Sequence, residues 1–304
     1  MRRITTLQNT TVAARLFHSS SPQYTLHHEW IGNSSSSSAD SIVFLHGLLG
    51  NSKNLKTLAK KVVQVRQKSG VLLDLRGHGH SPSQQAPHTF EACVQDVHNT
   101  LSPSVVVPSL VMGHSWGGRI ALQYIHSLLL GGENNETQQQ LPELWLLDTV
   151  PGQAHDSVNQ VLEAVQRIKN LDDKQKVALQ LEEYGLERGV AQWLAASLQK
   201  SSNDGGYQWG FDVNVVRNIL PEFQHQDFIG MVGDIVKEGG CVHLVKGGTN
   251  AAWDESSPSI LSQLHELEQA YRHHFQVHTL PKAGHWVHVD DLPGLLELVE
   301  SKQS

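Results

Sequence analysis

Ser115 stands at the centre of the pentapeptide Gly113-His114-Ser115-Trp116-Gly117, which matches the pattern G-x-S-x-G. In this pattern a strand turns sharply into a helix, and the serine hydroxyl is exposed at the carboxyl end of the strand, where it can attack a carbonyl carbon. The turn is strained, and a side chain at position 113 or 117 would collide with its opposite arm. Because five residues are a short match, the pattern is informative only if a strand precedes it and a helix follows it.

The segments on both sides of the pentapeptide have the composition that this turn requires. Val105–Met112 is a mostly apolar run, as expected for a buried strand, and Arg119–Leu130 is typical of a helix. The amino-terminal end of such a helix favours negative charge, which develops on a carbonyl oxygen during nucleophilic attack. The sequence therefore predicts that Ser115 is a nucleophile.

A serine hydroxyl needs a base to take its proton, and His285 is the candidate. It lies in the glycine-containing segment Lys282–His288, directly after the last predicted strand. Catalytic groups of open α/β sheets collect at that edge. His114 is adjacent to Ser115 in the chain, but consecutive residues at the end of a strand project to opposite sides. We therefore predict His285 as the general base.

Three aspartates compete to orient His285. Asp148 directly follows the predicted strand Leu144–Leu147, whereas Asp254 comes several residues after a later strand and Asp212 lies in a helical region. The carboxylate must hold one tautomer of the histidine, so it needs a rigid position, which the end of a strand provides. We predict Asp148 as the acid and keep Asp254 and Asp212 as alternatives.

Two backbone N–H groups are predicted to form an oxyanion hole. One belongs to Trp116, the residue after the nucleophile, and the other to Leu48, in the loop after the apolar run Ser41–His46. Gly47 permits the close approach of the backbone to a substrate there.

The order of strands and helices predicts an α/β fold with a mostly parallel, doubly wound sheet. Short apolar runs of the kind buried in parallel sheets occur at Ser41–His46, Gly70–Leu75, Val105–Met112, Leu144–Leu147 and Cys241–Val245, and a further strand is predicted at His274–Leu280. Helical segments alternate with them at Asn54–Arg66, Phe90–Leu101, Trp116–Leu130, Ser259–Arg272 and Pro293–Glu300.

The alternation breaks after the strand that ends at Asp148. Val158–Lys169, Asp173–Tyr184 and Arg188–Lys200 place apolar residues at helical spacing, and no buried strand is predicted among them. We predict a helical lid at 152–238 inserted into a core formed by 23–151 and 239–304.

Composition excludes several classes of protein. The chain has 304 residues, 23 Lys and Arg against 30 Asp and Glu, and no apolar run long enough for a transmembrane segment. Without a basic stripe, nucleic acid is not expected as a partner. Cys93 and Cys241 form no CxxC pair, and although there are 19 histidines, no carboxylate or cysteine cluster accompanies the pairs among them. We therefore predict no metal site and no disulfide framework.

The amino-terminal segment has the composition of a transit peptide. Residues 1–22 contain Arg2, Arg3 and Arg15 with several Ser and Thr, and the first acidic residue of the chain is Glu29. We predict that 1–22 is a transit peptide and that the protein is located in the mitochondrial matrix, with plastid or cytoplasm as alternatives.

Four blocks together resemble a known family: HGLLG at 46–50, DLRGHGHSP at 74–82, GHSWGG at 113–118 and AGHWVHVD at 283–290. The chain resembles the α/β-hydrolase fold family, and most of all the mitochondrial abhydrolase-domain-containing protein 11 group and its bacterial esterase counterparts. The resemblance implies an esterase that uses a Ser/Asp/His triad without a cofactor, with its acid at Asp148. It also implies structural roles for Asp74 and Arg76, and Trp116 stands where the family usually has Met.

These observations predict a serine hydrolase that cleaves carboxylic esters through an acyl-enzyme on Ser115. Its partner is expected to be a small-molecule acyl ester or thioester. Cleavage of a thioester or of a carbon–carbon bond by the same triad is an alternative. A module that keeps the fold only to bind a ligand or a protein partner is another.

Overall fold

A computed structural model of the chain describes residues 24–32, 40–81, 85–101, 108–131, 140–153, 156–201, 205–254 and 258–302. The predicted transit peptide lies outside these residues. The strands are β1 (His28–Ile31), β2 (Ser41–Leu45), β3 (Ser69–Leu73), β4 (Pro108–His114), β5 (Glu143–Leu147), β6 (Gln199–Lys200), β7 (Tyr207–Gln208), β8 (Val242–Gly247) and β9 (Phe275–Leu280).

Seven of these strands form the central sheet in the order β1-β3-β2-β4-β5-β8-β9, while β6 and β7 form a separate hairpin. β1 pairs antiparallel with β3, and every other pairing in the large sheet is parallel. The direction of chain progression reverses between β2 and β4, and the carboxyl ends of neighbouring strands on either side of such a switch form a ligand-binding crevice. The predicted mostly parallel, doubly wound α/β fold is confirmed.

Helices cover both faces of the sheet. The α-helices are α1 (Lys56–Arg66), α2 (Phe90–Leu101), α3 (Trp116–Gly131), α4 (Asp156–Arg167), α5 (Lys174–Glu183), α6 (Arg188–Ala196), α7 (Val213–Ile219), α8 (Phe228–Lys237), α9 (Pro258–Ala270), α10 (Val287–Asp290) and α11 (Leu292–Ser301). Along β2, Ile42 and Phe44 pack in the layer with α1 and α11, whereas Val43 and Leu45 pack in the layer with α2, α3 and α8. All four side chains are fully buried, because alternate residues of a strand point to opposite faces and both faces are covered.

The region 152–238 contains two kinds of helix. Helices α4, α5 and α6 form an apolar cluster of their own, which also includes Leu49 and Phe211. Helix α8 instead packs against α3 and contributes Val232 and Ile235 to the core beside the sheet. Only α4–α6 therefore stand apart from the sheet.

The structure corrects one predicted helix, Arg188–Lys200. The helix ends at Ala196, and Gln199–Lys200 becomes the short strand β6. The hydroxyl of Ser197 donates a hydrogen bond to the carbonyl oxygen of Leu194 at 2.6 Å. Such local side-chain bonds compete with the helical pattern at a helix end.

Within the part of the chain that the structure describes, no helix has both the length and the apolar composition needed to cross a lipid bilayer.

Candidate active site

Ser115 occupies the turn between β4 and α3. Its φ angle is 53°, in the left-handed region that side chains other than glycine avoid. Its N–H donates to the carbonyl oxygen of Leu147 at 2.9 Å, which ties the turn to the end of β5. A Cβ at Gly113 would collide with the carbonyl of Gly117, and a Cβ at Gly117 would collide with the end of β2 at the carbonyl of His46. Both glycines are therefore required by close backbone contacts.

His285 and Asp148 lie in direct contact. The Nδ1 atom of His285 is 2.7 Å from Oδ2 of Asp148, although 137 residues separate them in the chain. The histidine side chain is 41% exposed and the carboxylate is fully buried. Asp148 follows β5 and Ser115 follows β4, its neighbour in the sheet, so the structure brings the predicted nucleophile, base and acid to one edge.

The carboxylate of Asp148 is held by donors from the turn after β8. Its Oδ1 accepts hydrogen bonds from the N–H of Gly247 and from the indole N–H of Trp253, both at 2.7 Å. Its Oδ2 accepts one from the side-chain amide of Asn250 in addition to that of His285. Four donors directed at one buried carboxylate fix its orientation.

The two alternative acids lie elsewhere. Asp254 ends the short 3-10 helix Ala251–Trp253 and is exposed. Asp212 caps α7, where its carboxylate accepts the N–H of Asn214 at 2.8 Å. The turn that precedes Asp254 contributes donors that hold Asp148.

The loop after β2 carries the predicted oxyanion donor Leu48, and a hydrogen bond to the side chain of His78 holds this loop in place. Leu49, the next residue, has a φ angle of 65°, and its N–H donates to Nε2 of His78 at 3.2 Å. The Nδ1 of His78 donates in turn to the carbonyl oxygen of Arg76 at 2.8 Å. Trp116, the second predicted donor, is the first residue of α3, so its N–H has no acceptor within the helix.

Comparison with known proteins identifies the family from residues that span most of the chain. The family described as "Alpha/beta hydrolase family" matches residues 42–295. The chain belongs to the alpha/beta hydrolase family. The predicted resemblance is therefore confirmed.

Several known proteins are similar to this hydrolase. The "sn-1-specific diacylglycerol lipase ABHD11" of Mus musculus is 28% identical over 267 residues, which cover 86% of this chain and 80% of that protein. "Esterase YbfF" of Escherichia coli (strain K12) is 26% identical over 270 residues, covering 85% and 91%. A solved structure of a "Marine microorganism esterase" matches with a TM-score of 0.69 and 17% sequence identity, covering 91% of this chain and 99% of that one, and this likeness shows the fold.

In this hydrolase the side chain of His114 bonds to the backbone of the loop that carries His285. Its Nε2 donates to the carbonyl oxygen of His285 at 2.8 Å, and its ring lies 4.7 Å from that of His285 and 4.6 Å from that of His288. Burial and the neighbouring histidines His288 and His285 hold the pKa of His114 well below its usual value. His114 is therefore a neutral hydrogen-bond donor that contacts the backbone of His285.

Residues of the block DLRGHGHSP (74–82) hold neighbouring segments in place through hydrogen bonds and an ion pair. Asp74 accepts the N–H of Ser52 at 2.7 Å and that of His80 at 2.8 Å. Arg76 makes two parallel bonds to the carboxylate of Asp96, at 2.7 and 2.9 Å. These contacts agree with the structural roles that the resemblance implied for Asp74 and Arg76.

The sequence did not predict Asn250 and Trp253 as supports of Asp148. The only signal was the prediction that Asp148 stands at the end of a strand. The turn that holds its carboxylate could be identified only once the pairing of β5 with β8 was known.

Buried histidines should make the protein sensitive to acid. Burial is the main cause that lowers the pKa of His78 to about 3 and that of His288 to about 4. As the pH falls below ~6.5, these two histidines become protonated in the unfolded chain but stay neutral in the folded one. The stability that they contribute is therefore fully present above pH ~6.5 and is lost as the pH falls towards their folded pKa values. Each of the two histidines should then lower the free energy of unfolding by up to about 1.4 kcal/mol for every pH unit below pH ~6.

Urea unfolding measured between pH 7 and pH 5 tests this expectation. His288→Phe removes one such group and should make the dependence of the unfolding free energy on pH shallower, whereas the exposed His273→Phe should leave it unchanged. Equal slopes for the parent chain and His288→Phe would contradict the expectation.

Proposed function

We propose that this ester-acting hydrolase cleaves carboxylic esters through an acyl-enzyme on Ser115, with His285 as general base, Asp148 as its orienting acid, and the N–H groups of Leu48 and Trp116 as the oxyanion hole. The observation that carries the proposal is the 2.7 Å contact between His285 Nδ1 and Asp148 Oδ2 at the sheet edge where Ser115 lies. Relatives named as a lipase and an esterase support the substrate class.

The contact with Asp148 sets the tautomer of His285. A carboxylate can only accept, so Nδ1 of His285 carries the proton and Nε2 has a free lone pair. Nε2 takes the proton of Ser115 as its oxygen attacks the ester carbonyl, and the resulting imidazolium is stabilised by the buried carboxylate. The positive end of α3 and the two N–H groups stabilise the negative charge on the carbonyl oxygen.

Collapse of the tetrahedral intermediate expels the alcohol, to which His285 returns the proton. Water then attacks the acyl-enzyme while His285 acts as base again, and the carboxylic acid leaves with Ser115 restored. The 41% exposure of the His285 side chain gives water access to this step.

Trapping the intermediate tests the mechanism. The full chain is mixed with a p-nitrophenyl ester and quenched in acid, and mass spectrometry should find one acyl group, located on the peptide that contains Ser115. Comparison of oxygen esters with matched acyl thioesters separates the esterase from a thioesterase. A folded chain that gives neither adduct nor turnover on a panel of esters and thioesters would instead favour the non-catalytic binding module.

The lid formed by α4–α6 supports an apolar acyl group as substrate. Trp193 of α6 lies with its ring 5.7 Å from that of Trp286, the residue after the proposed base. Leu48 packs against the apolar cluster of the lid as well as against the core. An apolar chain bound between lid and core would therefore lie beside both His285 and the oxyanion loop.

Truncation of Trp193 should change the preference for acyl length. In Trp193→Ala we expect kcat/KM to fall about tenfold for an octanoate ester and less than about twofold for an acetate ester, because only the longer chain can reach the indole. Trp30→Ala on the edge strand β1 is the matched control and should behave like the parent. Equal losses for both esters would show that Trp193 supports the fold rather than the acyl group.

The amino-terminal composition supports delivery to the mitochondrial matrix. A fluorescent fusion of the full chain should accumulate in mitochondria, whereas a fusion that starts at residue 23 should remain in the cytoplasm. Plastid accumulation of the full chain, or identical distributions of the two fusions, would support the alternatives.

A further inference from the structure

A cluster of metal-ligating side chains lies outside the proposed catalytic residues. His27, Asp74 and His80 each place one ligand atom within 4.8 Å of the other two. They come from two segments: His27 is the residue before β1, and Asp74 and His80 lie in the stretch that follows β3. We propose that these three residues bind a divalent transition-metal ion of the Zn²⁺ type.

The spacing of the cluster suits a tetrahedral ion. Bonds of about 2.0–2.1 Å to nitrogen and oxygen place neighbouring ligands of a tetrahedral zinc about 3.4 Å apart. His80 Nδ1 and Asp74 Oδ2 are already 3.3 Å apart. The rings of His27 and His80 are 4.7 Å apart and tilted by 48°, so small side-chain rotations bring the third ligand to the same distance.

Hydrogen bonds hold the three residues in place without a metal. The N–H of Asp74 donates to the carbonyl of His27 at 2.9 Å. The N–H of His27 donates to the hydroxyl of Ser81 at 2.9 Å, and this hydroxyl donates to the carbonyl of Asp74 at 2.5 Å. The backbone of every ligand segment is therefore tied to another, and preorganisation of this kind lowers the entropy lost on binding.

The donor set selects the class of metal. Two imidazoles and one carboxylate suit Zn²⁺ and its transition-metal neighbours, whereas Mg²⁺ and Ca²⁺ prefer oxygen ligands alone. The Asp74 side chain is 1% exposed and that of His80 is 52% exposed, so the ion would rest on a buried carboxylate and keep its fourth position open to water. A carboxylate has about four lone-pair sites, and the N–H groups of Ser52 and His80 occupy two.

The sequence predicts no metal site, because no carboxylate cluster accompanies the histidine pairs. The fold supplies the missing ligand by placing β1 beside β3, which brings Asp74 to His27. β3 is two strands from β4 in the sheet, roughly 10 Å at normal strand spacing, so this site is separate from Ser115.

Metal titration of matched variants tests the proposal. The full chain is stripped with a chelator, desalted and titrated with Zn²⁺ in competition with a fluorescent indicator. We expect one tight equivalent, weakened at least tenfold in His27→Ala and in His80→Ala. Two controls should bind like the parent: His28→Ala, the exposed neighbour of His27, and His126→Ala, which removes a half-buried histidine 3.2 Å from Asp234 for which the described residues supply no third ligand.

Two further readouts separate a defined site from scattered binding by the 19 histidines. Co²⁺ should give one equivalent of an intense visible absorption band typical of tetrahedral coordination, absent in His80→Ala. Zn²⁺ should also raise the Tm of the parent chain and of His28→Ala but not that of His27→Ala. Absence of a saturable equivalent, or equal weakening in His27→Ala and His28→Ala, would overturn the proposal.

Discussion

Replacement of Ser115 by alanine should lower kcat for ester hydrolysis by about a million-fold, because no other group can supply the attacking oxygen in the proposed mechanism. A fluorophosphonate probe, which reacts with an activated serine, should label the parent chain and leave Ser115→Ala unlabelled. The residual rate should resemble that of His285→Ala, since nucleophile and base act as one unit and their losses do not add.

The fold should survive this substitution. Serine and alanine share the same backbone preferences at the φ angle of 53°, and the N–H that bonds to Leu147 is retained, so the Tm should remain close to that of the parent. Ser262→Ala is the matched control: this exposed serine on α9 bonds only to Glu266 among the contacts described, and its loss should leave labelling and turnover intact. Labelling that persists in Ser115→Ala would place the nucleophile on another residue.

The inner strands β2, β3, β4, β5 and β8 were predictable because both of their faces are almost completely buried. The run Ser41–His46 shows almost no polar residue, and the structure makes it β2 with every side chain of the strand buried. The turn at Ser115 was predictable for a related reason: close backbone contacts on both sides of the serine leave room only for glycine. Features dictated by local sterics or by complete burial are therefore visible in a single sequence.

Contacts between distant loops were not predictable in the same way. The donors on Asp148 come from a turn about 100 residues later, and His27 comes close to Asp74 through the pairing of β1 with β3, which are not consecutive strands in the chain. The sequence of a loop has no periodic pattern from which the contact partners of its polar residues could be predicted. This is why the sequence left three aspartates as candidates for the acid, and why the cluster of His27, Asp74 and His80 was not predicted.

The position of Asp148 shows how a strand end would suit the proposed acid. β5 lies between β4, which carries Ser115, and β8, whose following turn holds the carboxylate. Asp148 itself has a φ angle of 46°, and its N–H donates to the carbonyl of Val245 at 2.7 Å. Strand β8 thus holds the backbone of Asp148, and the end of β8 with the turn that follows it holds the side chain.

Replacement of Asp148 by asparagine should therefore lower kcat by about ten-thousand-fold with little change in KM. The N–H groups of Gly247 and Trp253 both point at the Oδ1 position, so the amide oxygen of the new side chain must take that place. Its NH₂ group then faces Nδ1 of His285, which can no longer donate. The histidine adopts the tautomer protonated on Nε2, and this tautomer cannot accept the proton of Ser115.

The matched control is Asp254→Asn, which changes an exposed aspartate in the same turn region and should leave kcat within about twofold of the parent. Asp148→Asn also leaves the amide of Asn250 facing another donor, at a cost of about 1–3 kcal/mol in unfolding free energy, so kcat is measured at a temperature where urea unfolding shows the variant to be folded. A loss of kcat in Asp254→Asn with activity retained in Asp148→Asn would transfer the role to Asp254. The distinction is decisive because the donors on Oδ1 permit only one orientation of the amide, and that orientation opposes the tautomer that the reaction requires.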